Sequence, residues 1–538
     1  MMQQKIYIIL FILFCSTTLS AQPGSLDVSY SSDGKVTTDI NSDFENDDAN
    51  SIVLQPDGKI VAVGSFETNT NYSDFAVVRY NTNGSIDNSF GQVVTEVSGN
   101  YQEDAAYAAA IQTDGKIIAA GITCHTWLYD VYHEFALVRY NTNGTLDSNF
   151  GDNGIVKTSF GLLADAYANS VVIQSDGKII LGGYKKYNYL NHDFILVRYN
   201  TDGSVDSSFG DEGIVITSFG DYTDSYGRSL ALQANGKIVM VGSSYDSNNS
   251  PNYAIARYNT DGSLDSSFSA DGLLTFDFDG ESDEAHAIAI QTDGKMVVAG
   301  YSRLDSAQLT QNNFSIARID TDGTLDVSFS GDGKNVTDFN SQNDHAACIA
   351  IQNDNKIVVG GYSRYGDQDF ELARYNSNGT IDLSFGSLGK VTTSFFPNYS
   401  GDEAYSVVIQ SDGKIVLAGF TVATDYNYDL HDFALARYIA DFAIGVLDFT
   451  ASSNLMTIYP NPIGKNAMLE YCLQNDDIIS IHLLDIHGKM ISTFIEEEKE
   501  QIGVHRHEIT FPDFLPSGSY MIVISNEAGE KVSIKVEK

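Results

Sequence analysis

Residues 52–64 read Ile-Val-Leu-Gln-Pro-Asp-Gly-Lys-Ile-Val-Ala-Val-Gly, and the chain repeats this phrase along most of its length. An apolar run, an Asp-Gly pair and a second apolar run predict a tight β-hairpin, because glycine supplies the positive φ that such a turn requires. Successive turns are 57 to 62 residues apart, and they begin at Asp57, Asp114, Asp176, Asn235, Asp293, Asp354 and Asp412. We therefore expect seven copies of a unit of about 60 residues.

Each copy contains four short candidate strands, which we call A to D. In the fifth copy they are 285–291, 295–300, 313–319 and the run after Gly333. Strand A is rich in small residues, as in 105–110, which suits a strand near a common axis where copies approach closely. Four-stranded antiparallel units repeated seven times predict an all-β, seven-bladed β-propeller. A linear β-solenoid is the second alternative, although solenoid repeats are usually shorter.

The two ends of the repeat region complement each other. Residues 24–38 contain the C-to-D turn and strand D of a repeat, with no strands A to C before them. The seventh copy, in contrast, reaches Tyr438 without a Gly-Ser-Leu-Asp phrase. We therefore expect a propeller over residues 22–440 in which the N-terminal strand completes the last blade and closes the ring.

The net charge of the chain is strongly negative. Its 538 residues include 31 lysines and arginines against 71 aspartates and glutamates, which gives a formal charge of −40. Such a chain repels phosphate groups, so nucleic acid and anionic membrane surfaces are poor candidates for partners. The apolar content of 43% excludes wholesale disorder.

Residues 1–21 have the features of a secretory signal peptide. Lys5 precedes an apolar run over 6–14, and small residues lead to Ala21, after which we expect cleavage. No later stretch is long and apolar enough to predict a transmembrane segment in the mature chain. The cysteines beyond the signal form an odd and scattered set, which argues against a disulfide framework: Cys124, Cys348 and Cys472.

Two phrases of the repeat carry a resemblance to a known family. Residues 135–147 read Phe-Ala-Leu-Val-Arg-Tyr-Asn-Thr-Asn-Gly-Thr-Leu-Asp, and residues 290–295 read Ile-Gln-Thr-Asp-Gly-Lys. Both are similar to the bacterial delta-60 repeat family, and the similarity extends over residues 24–440. The resemblance implies no established activity.

The periodicity stops after Arg437, where we expect a linker over 441–455 and a different unit over 456–538. Its phrases Ile-Tyr-Pro-Asn-Pro, Leu-Asp-Ile-His-Gly-Lys and Leu-Pro-Ser-Gly-Ser-Tyr, which begin at residues 458, 484 and 515, resemble the type A C-terminal sorting domain of the type IX secretion system. The resemblance implies a Bacteroidetes-type exporter, the type IX machinery as a partner, passage across the outer membrane, removal of this domain, and surface attachment or release. Alternation in 521–524 and 532–536 independently predicts strands of a small immunoglobulin-like β-sandwich.

No motif in the chain identifies a reaction. It lacks a glycine-rich phosphate loop, a His-Glu-x-x-His helix and a nucleophile elbow, while carboxylate pairs are so frequent that a glycosidase dyad stays open without nominated residues. One arginine recurs on strand C of every copy, and we interpret it as a structural tie to the Asp of the Leu-Asp phrase, not as part of an anion-binding ring. We hypothesise that one acidic segment binds calcium, with Asp277, Asp279, Glu281 and Asp283 as the candidate ligands. No other cofactor is expected.

The candidate binding face carries the B-to-C loops and the D-to-A connections. The turns on the opposite face are uniform, whereas these loops vary in length and are rich in aromatic groups, and variable loops on a rigid scaffold usually carry function. The predicted ligand-binding residues are Trp127, Tyr129, Tyr132, His133, Tyr184, Tyr187, Tyr189, His192, Tyr426, Tyr428 and His431, with Asp47, Asp104, Asp283 and Asp402 among the connections. Aromatic faces beside carboxylates suit sugar rings or cationic partners. In the alternative interpretation the tyrosines only cover their own loops.

These features predict a secreted or cell-surface protein whose propeller is a non-catalytic binding module for a glycan or a protein. Two alternatives stay open: a polysaccharide-active hydrolase or lyase on a propeller scaffold, and a structural spacer of the cell surface. Near-equivalent blades favour binding, because they offer many contact positions but no visibly unique reactive arrangement.

Overall fold

The computed structural model describes residues 22–538 with internal gaps. The segments left out are 41–44, 68–71, 100–101, 128–129, 162–163, 188–190, 221–222, 279, 305–310, 340–342, 365–367, 397–400, 426–427, 441–455, 460–462, 474–476, 486–488, 502, 513–514 and 527–530. The predicted signal peptide and the predicted linker therefore lie outside the described residues. The chain divides into two compact units, one of which is Gln22–Asp441 while the other includes Phe442–Lys538.

The larger unit contains seven four-stranded antiparallel sheets, which are the blades. Strand β1 is Lys35–Thr38. Blades 1 to 4 consist of β2–β5 (Asp47–Leu54, Ile60–Glu67, Ser73–Tyr80, Gln92–Thr95), β6–β9 (Asp104–Ile111, Ile117–Trp127, Asp130–Tyr140, Ile155–Thr158), β10–β13 (Asp165–Ile173, Ile179–Tyr187, Asn191–Tyr199, Ile214–Thr217) and β14–β17 (Ser225–Leu232, Ile238–Tyr245, Pro251–Tyr258, Leu273–Phe276). Blades 5 to 7 consist of β18–β21 (Gly280–Ile290, Met296–Leu304, Asn312–Ile319, Lys334–Thr337), β22–β25 (Asn343–Ile351, Ile357–Arg364, Phe370–Tyr375, Lys390–Thr393) and β26–β28 (Glu403–Ile409, Ile415–Asp425, Tyr428–Tyr438) with β1.

The N-terminal strand closes the ring, as the complementary chain ends predict. β1 pairs antiparallel with β28, with Lys35 opposite Ala436, and blade 7 has the strand order β1-β28-β27-β26. The Asp27 carboxylate lies 2.9 Å from a guanidinium nitrogen of Arg437. Every blade therefore has four strands, and the prediction of a seven-bladed propeller is confirmed.

The first strands of neighbouring blades contact one another around the axis, as their small residues predict. In every blade this strand carries one extra residue, a β-bulge, such as Asn50 between Ala49 and Ser51. The residue that faces the bulge on strand B is a glycine, and a Cβ on Gly64 would lie 1.7 Å from the Asp48 carbonyl oxygen. The glycine therefore allows the backbones of strands A and B to approach closely at the bulge. The bulge in turn changes the direction of the neighbouring side chains on strand A.

Apolar cores lie between neighbouring blades and not within single blades. Val77 of blade 1, for example, packs in one buried cluster with Ala136 and Val138 of blade 2. Tyr140, which ends strand C of blade 2, is fully buried and donates a hydrogen bond of 2.8 Å to Thr95 on strand D of blade 1. Each blade therefore depends on its neighbours for its core, which makes closure of the ring important for stability.

A repeated charge network holds the turn face. In blade 1, Asp87 accepts hydrogen bonds of 2.8 Å from Lys59 and from Arg79 Nε, and Arg79 also donates to the Thr142 carbonyl of blade 2 at 2.7 Å. The other pairs are Arg139–Asp147, Arg198–Asp206, Arg257–Asp265, Arg318–Asp326, Arg374–Asp382 and Arg437–Asp27. The interpretation as structural ties is confirmed, and each of these arginines also bonds a backbone carbonyl of the next blade.

The smaller unit has two sheets that share one core. Its strands are β29 (Met456–Tyr459), β30 (Asn466–Leu473), β31 (Asp477–Asp485), β32 (Met490–Glu500), β33 (Gly503–Thr510), β34 (Ser519–Asn526) and β35 (Lys531–Glu537). One sheet has the order β29-β30-β33 and the other β32-β31-β34-β35, and Leu469 from the first packs with Ile481 and Ile522 from the second. The likeness of this sandwich to immunoglobulin domains stays a prediction. Within the described part of the chain, no helix is long and apolar enough to cross a membrane.

Candidate functional site

Aromatic and imidazole rings form a belt on the face opposite the turns. Most of them come from strand A beside its bulge or from strand B just after its glycine. Ring centroids 4.1 to 5.9 Å apart join the pairs His133–Tyr167, Tyr167–Tyr184, Tyr184–Tyr226, Tyr226–Tyr245, His286–Tyr301, Tyr301–His345, His345–Tyr362, Tyr362–Tyr405, Tyr405–Phe420 and Phe420–His431. We call this set the aromatic belt.

Among the described rings the aromatic belt is interrupted between Tyr245 and His286 and again over blade 1, where a cavity of about 580 Å³ opens on the same face. Asp48 and Ser65 are cross-strand partners in blade 1, at the positions that Tyr167 and Tyr184 occupy in blade 3. The cavity, which we call the blade 1 pocket, is lined by Asn46, Asp48, Asn50, Ser65, Glu67, Tyr72, Ser73, Gln102, Glu103, Ala105, Tyr107, Cys124, Thr126, Val131 and His431. It exists because small or short side chains replace rings at this point of the belt.

The blade 1 pocket is acidic. Its lining contains the carboxylates of Asp48, Glu67 and Glu103 and, among the described residues, no lysine or arginine. A hydrogen bond from His133 holds the pKa of Glu103 below its ordinary value, so this carboxylate is ionised at neutral pH. Nδ1 of His431 lies 2.8 Å from Oδ1 of Asp48 at the edge of the pocket. These groups can accept hydrogen bonds from hydroxyl and ammonium groups of a ligand.

Cys124 lines the pocket but is not poised for nucleophilic attack. Its sulfur accepts a hydrogen bond of 3.2 Å from the backbone N–H of Glu103, and burial raises the pKa of the thiol to about 11. The thiol is therefore protonated at neutral pH, whereas the thiolate is the reactive form.

The three predicted ligand-binding histidines connect neighbouring blades. Their Nδ1 atoms lie 2.8 Å from carboxylate oxygens of the next blade in the pairs His133–Asp165, His192–Asp224 and His431–Asp48. All three lie on strands, not in loops as predicted, because the B-to-C hairpins of blades 2, 3 and 7 continue outward as two-stranded ribbons. The three histidines therefore lie on paired strands beside the next blade, at positions where the sequence predicted loops.

The other predicted residues are placed as follows. Tyr132 stacks on His125 with centroids 5.7 Å apart, and Tyr184 belongs to the aromatic belt. Three lie on strands but have side chains outside the described set, namely Trp127, Tyr187 and Tyr428, while Tyr129, Tyr189 and Tyr426 lie wholly outside the described residues. Of the predicted residues whose side chains the structure describes, His431 lines the blade 1 pocket.

The acidic residues of the D-to-A connections are structural. Each accepts a backbone N–H bond of 2.6 to 2.8 Å from the connection before it, in the pairs Asp47–Ile40, Asp104–Val97, Asp283–Phe278 and Asp402–Phe395. Their exposure is 2% or less, so they are not available to a ligand, in contrast to the prediction. A carboxylate at this position fixes the entry into strand A, because it satisfies an N–H that would otherwise be buried without a partner.

For the calcium hypothesis the structure describes two of the four candidates. Asp283 is fully buried and holds the Phe278 N–H, whereas Asp277 is exposed. Asp279 and the side chain of Glu281 lie outside the described residues. Carboxylates do converge between blades 7 and 1, where oxygens of Asp39, Asp47 and Asp432 lie within 4.8 Å of one another.

The sequence interpretation missed most of the pocket. Glu67, Glu103 and Tyr107 were not singled out, because each looks ordinary within its own repeat. The signal that could have found them is the comparison of repeats position by position, in which Asp48 and Ala105 replace the aromatic or larger residues of the other blades. An irregularity in a repeat marks a site better than a motif within it.

A pH-dependent contribution to stability is expected from His133. Burial disfavours its charged form, but the hydrogen bonds that it donates to Asp165 and Glu103 outweigh this effect and raise its pKa to about 9. Because the folded protein then holds a proton more tightly than the unfolded chain, this stabilisation is complete below pH about 6.5 and is lost as pH rises through about 9. His133→Gln should therefore lower the free energy of unfolding by about 1–2 kcal/mol at pH 6.5 and by much less at pH 9.5.

Urea unfolding at several pH values measures this difference, and the imidazole resonance of His133 should titrate near pH 9. Equal losses of stability at pH 6.5 and pH 9.5 in the variant would contradict the assignment.

The closed ring of four-stranded sheets defines the protein as a β-propeller repeat protein. Residues 55–90, 112–150, 174–209, 233–268, 291–329 and 352–385 match the domain of unknown function DUF5122, described as a β-propeller, and residues 457–536 match the secretion system C-terminal sorting domain. The chain carries six DUF5122 repeats followed by a type IX sorting domain, which assigns it to export to the cell surface or beyond. Each matched range includes both turns of one of blades 1 to 6. Blade 7 is not among the matched ranges, and its C-to-D phrase lies at the N-terminal end of the propeller, apart from its other three strands.

Several solved structures are similar to the chain at low sequence identity. A protein of unknown function from Dyadobacter fermentans is 13% identical, with 76% of this chain and 98% of that chain covered and a TM-score of 0.41. The GH93 α-L-arabinofuranosidase of Fusarium graminearum is 9% identical, with 75% and 97% covered and a TM-score of 0.39. A PL25 ulvan lyase is 10% identical, with 92% and 95% covered and a TM-score of 0.32. Likeness at this level carries no argument about activity, and no curated protein matches the chain.

Proposed function

We propose that this protein is an exported, non-catalytic glycan-binding propeller and that the blade 1 pocket is its binding site. The observation that carries the proposal is the pocket itself, whose volume of about 580 Å³ lies within the range of roughly 300–1,000 Å³ found for small-ligand sites. Its carboxylate, amide and hydroxyl groups suit the hydroxyls of a sugar. Tyr72 is 41% exposed and offers an aromatic face to a sugar ring.

The charge of the pocket narrows the ligand class. Asp48, Glu67 and Glu103 repel uronic acids and sulfated sugars, and the net charge of the whole chain, −40, adds to this repulsion. Neutral sugars avoid the penalty, and amino sugars gain attraction to the carboxylates and to the aromatic rings. The favoured ligand is therefore a neutral or amino-sugar glycan.

The pocket supports binding better than catalysis. The Cys124 thiol is protonated at neutral pH, and the nearby histidines His133 and His431 are bonded to carboxylates of the next blade. We extend the proposal to the hairpin ends of blades 2, 3 and 7, where the predicted aromatic residues would contact a longer glycan. Polysaccharide cleavage is the second candidate function, since the pocket contains several carboxylates.

Incubation with a panel of neutral, amino-sugar and anionic polysaccharides tests the proposal, with retention and new reducing ends measured separately. Asp48→Asn combined with Tyr72→Ala should lower retention at least about tenfold. The melting temperature should be nearly unchanged, because an asparagine amide oxygen can still accept the hydrogen bond from His431 Nδ1. Asp261→Asn is the matched control, because it makes the same acid-to-amide change on the turn face, where Asn83 and Asn143 stand in other repeats.

Each outcome of this experiment has a distinct meaning. New reducing ends that disappear in Glu67→Gln or Glu103→Gln would show an enzyme. Retention of anionic polysaccharides alone would contradict the charge argument. An equal loss of retention in Asp261→Asn would contradict the choice of the blade 1 pocket, because Asp261 lies on the turn face. If the pocket variant binds normally while Trp127→Ala with Tyr187→Ala loses retention, the hairpin ends and not the pocket form the site.

A further inference from the structure

Three potential metal ligands converge in the smaller unit, where its two sheets meet. Glu500 ends β32 in the four-stranded sheet, while His505 and His507 lie on β33 in the three-stranded sheet. Side chains two residues apart on a strand point to the same face, so both imidazoles are directed at one carboxylate. His505 Nδ1 lies 2.9 Å from Glu500 Oε2, and His507 Nε2 lies 2.8 Å from Oε1.

A backbone contact fixes the tautomer of His505. Its Nε2 lies 2.7 Å from the carbonyl oxygen of Gln501, and a carbonyl only accepts, so Nε2 carries the proton. In the neutral imidazole Nδ1 then presents a lone pair to the Glu500 oxygen 2.9 Å away. Two acceptors so close repel each other unless a cation lies between them or the ring takes a second proton. Metal-bound histidines usually donate a hydrogen bond from their second ring nitrogen to a carboxylate, a backbone carbonyl or water, and Nε2 of His505 makes such a contact with Gln501.

Tyr471 completes the group from strand β30. Its hydroxyl donates a hydrogen bond of 2.6 Å to Glu500 Oε2 and lies 3.0 Å from His507 Nε2. Glu500 is 7% exposed and Tyr471 is 3% exposed, whereas the side chains of His505 and His507 are 21% and 28% exposed. A carboxylate this buried requires a compensating positive charge, and the more open imidazoles leave a path for an ion to enter.

We propose that Glu500, His505 and His507 bind a divalent transition-metal ion of the zinc class, which links the two sheets of the sorting domain. Two imidazoles and a carboxylate form a zinc-type donor set, whereas calcium takes oxygen ligands. Tetrahedral zinc with bonds of about 2.0–2.1 Å holds its ligand atoms roughly 3.3 Å apart. The present separations of 2.8 and 2.9 Å need to widen by only about half an ångström, and water or the Tyr471 hydroxyl can supply the fourth ligand.

Titration of the metal-free full-length protein with Zn2+, in competition with a chromophoric chelator, tests the site directly. One equivalent should bind with micromolar or tighter affinity, and Ca2+ should not compete. His505→Gln with His507→Gln should weaken this binding at least about 100-fold, and Glu500→Gln about 10–100-fold. His482→Gln is the matched control, because this half-buried histidine lies in the same unit and contacts Thr493 instead.

Hydrogen exchange in the unaltered protein gives a second readout that does not depend on how the variants fold. Zn2+ should slow exchange of backbone amides in residues 490–510, and EDTA should restore it. Any one of three results would overturn the proposal: the unaltered protein does not bind one equivalent of Zn2+ tightly, the double variant binds Zn2+ with equal affinity, or Zn2+ does not slow exchange in residues 490–510. In that case no metal ion links the two sheets at this position.

Discussion

Removal of residues 22–40 should lower the melting temperature of the propeller by about 10 °C or more. This segment supplies the fourth strand of blade 7, and the Asp27 N–H bonds the Arg437 carbonyl at 2.8 Å. Without it, the buried Arg437 guanidinium loses its Asp27 carboxylate, and β28 becomes an open edge. Breaking one buried ion pair alone costs about 3–5 kcal/mol, and the fully buried Tyr30 is lost as well.

Differential scanning calorimetry of the shortened chain measures this effect. Removal of residues 456–538 is the control, because these residues belong to the other compact unit and their loss should leave the propeller transition in place. A melting curve unchanged by the loss of residues 22–40 would contradict the closure of the ring by the N-terminal strand.

The repeat and its closure could be predicted because they rest on local chemistry. An Asp-Gly-Lys turn specifies a hairpin wherever it occurs, and Asn355, which replaces glycine at the sixth turn, indeed has φ of 65°. The role of the arginines was also accessible, since a charge repeated at one position of every blade has to be satisfied inside every blade. Closure followed from counting strands at the two ends.

The blade 1 pocket could not be predicted because it depends on the spatial alignment of three blades. Asp48 belongs to blade 1, Glu103 to blade 2 and His431 to blade 7, and these positions are far apart in sequence. Burial was equally inaccessible: Asp283 stands in an acidic segment, yet it is fully buried and holds a backbone N–H. Sequence patterns indicate which residues are polar, but only the packing decides which of them face a ligand.

One carboxylate departs from the repeat and is expected to cost stability. Glu371 is 2% exposed between blades 5 and 6, at the strand C position that Ala76, Ala136 and Ala434 occupy in other blades. Among the described residues its Oε2 has no hydrogen-bond partner. Ser315 holds this position in blade 5 and meets the Tyr253 hydroxyl of blade 4 at 2.8 Å.

Among the described residues, no hydroxyl takes the corresponding place beside Glu371. The residue equivalent to Tyr253 in blade 5 is Phe314, which has no polar group to offer. Burial, and after it the charges of Asp344 and Asp369, therefore raise the pKa of Glu371 far above its ordinary value.

The sign of the pH dependence follows from this raised pKa. The folded protein keeps a proton on Glu371 that the unfolded chain releases near pH 4.3, so the stability that this proton contributes is present below that pH and is lost as pH rises toward the folded-state pKa. Glu371→Gln removes the ionisable group while keeping its shape. The variant should raise the free energy of unfolding by about 2–3 kcal/mol at pH 7 and change it little at pH 4.5.

Urea unfolding of Glu371→Gln at pH 4.5, 7 and 8.5 measures this gain, which should increase with pH. Glu212→Gln is the matched control, because Glu212 is exposed and the same loss of one charge there should change stability by less than about 0.5 kcal/mol at any of these pH values. A Glu371→Gln variant that is less stable than the unaltered protein at pH 7 would show that the ionised carboxylate is satisfied in the folded state, and the interface between blades 5 and 6 would then have to hold a cation that neutralises Glu371 and Asp344 together.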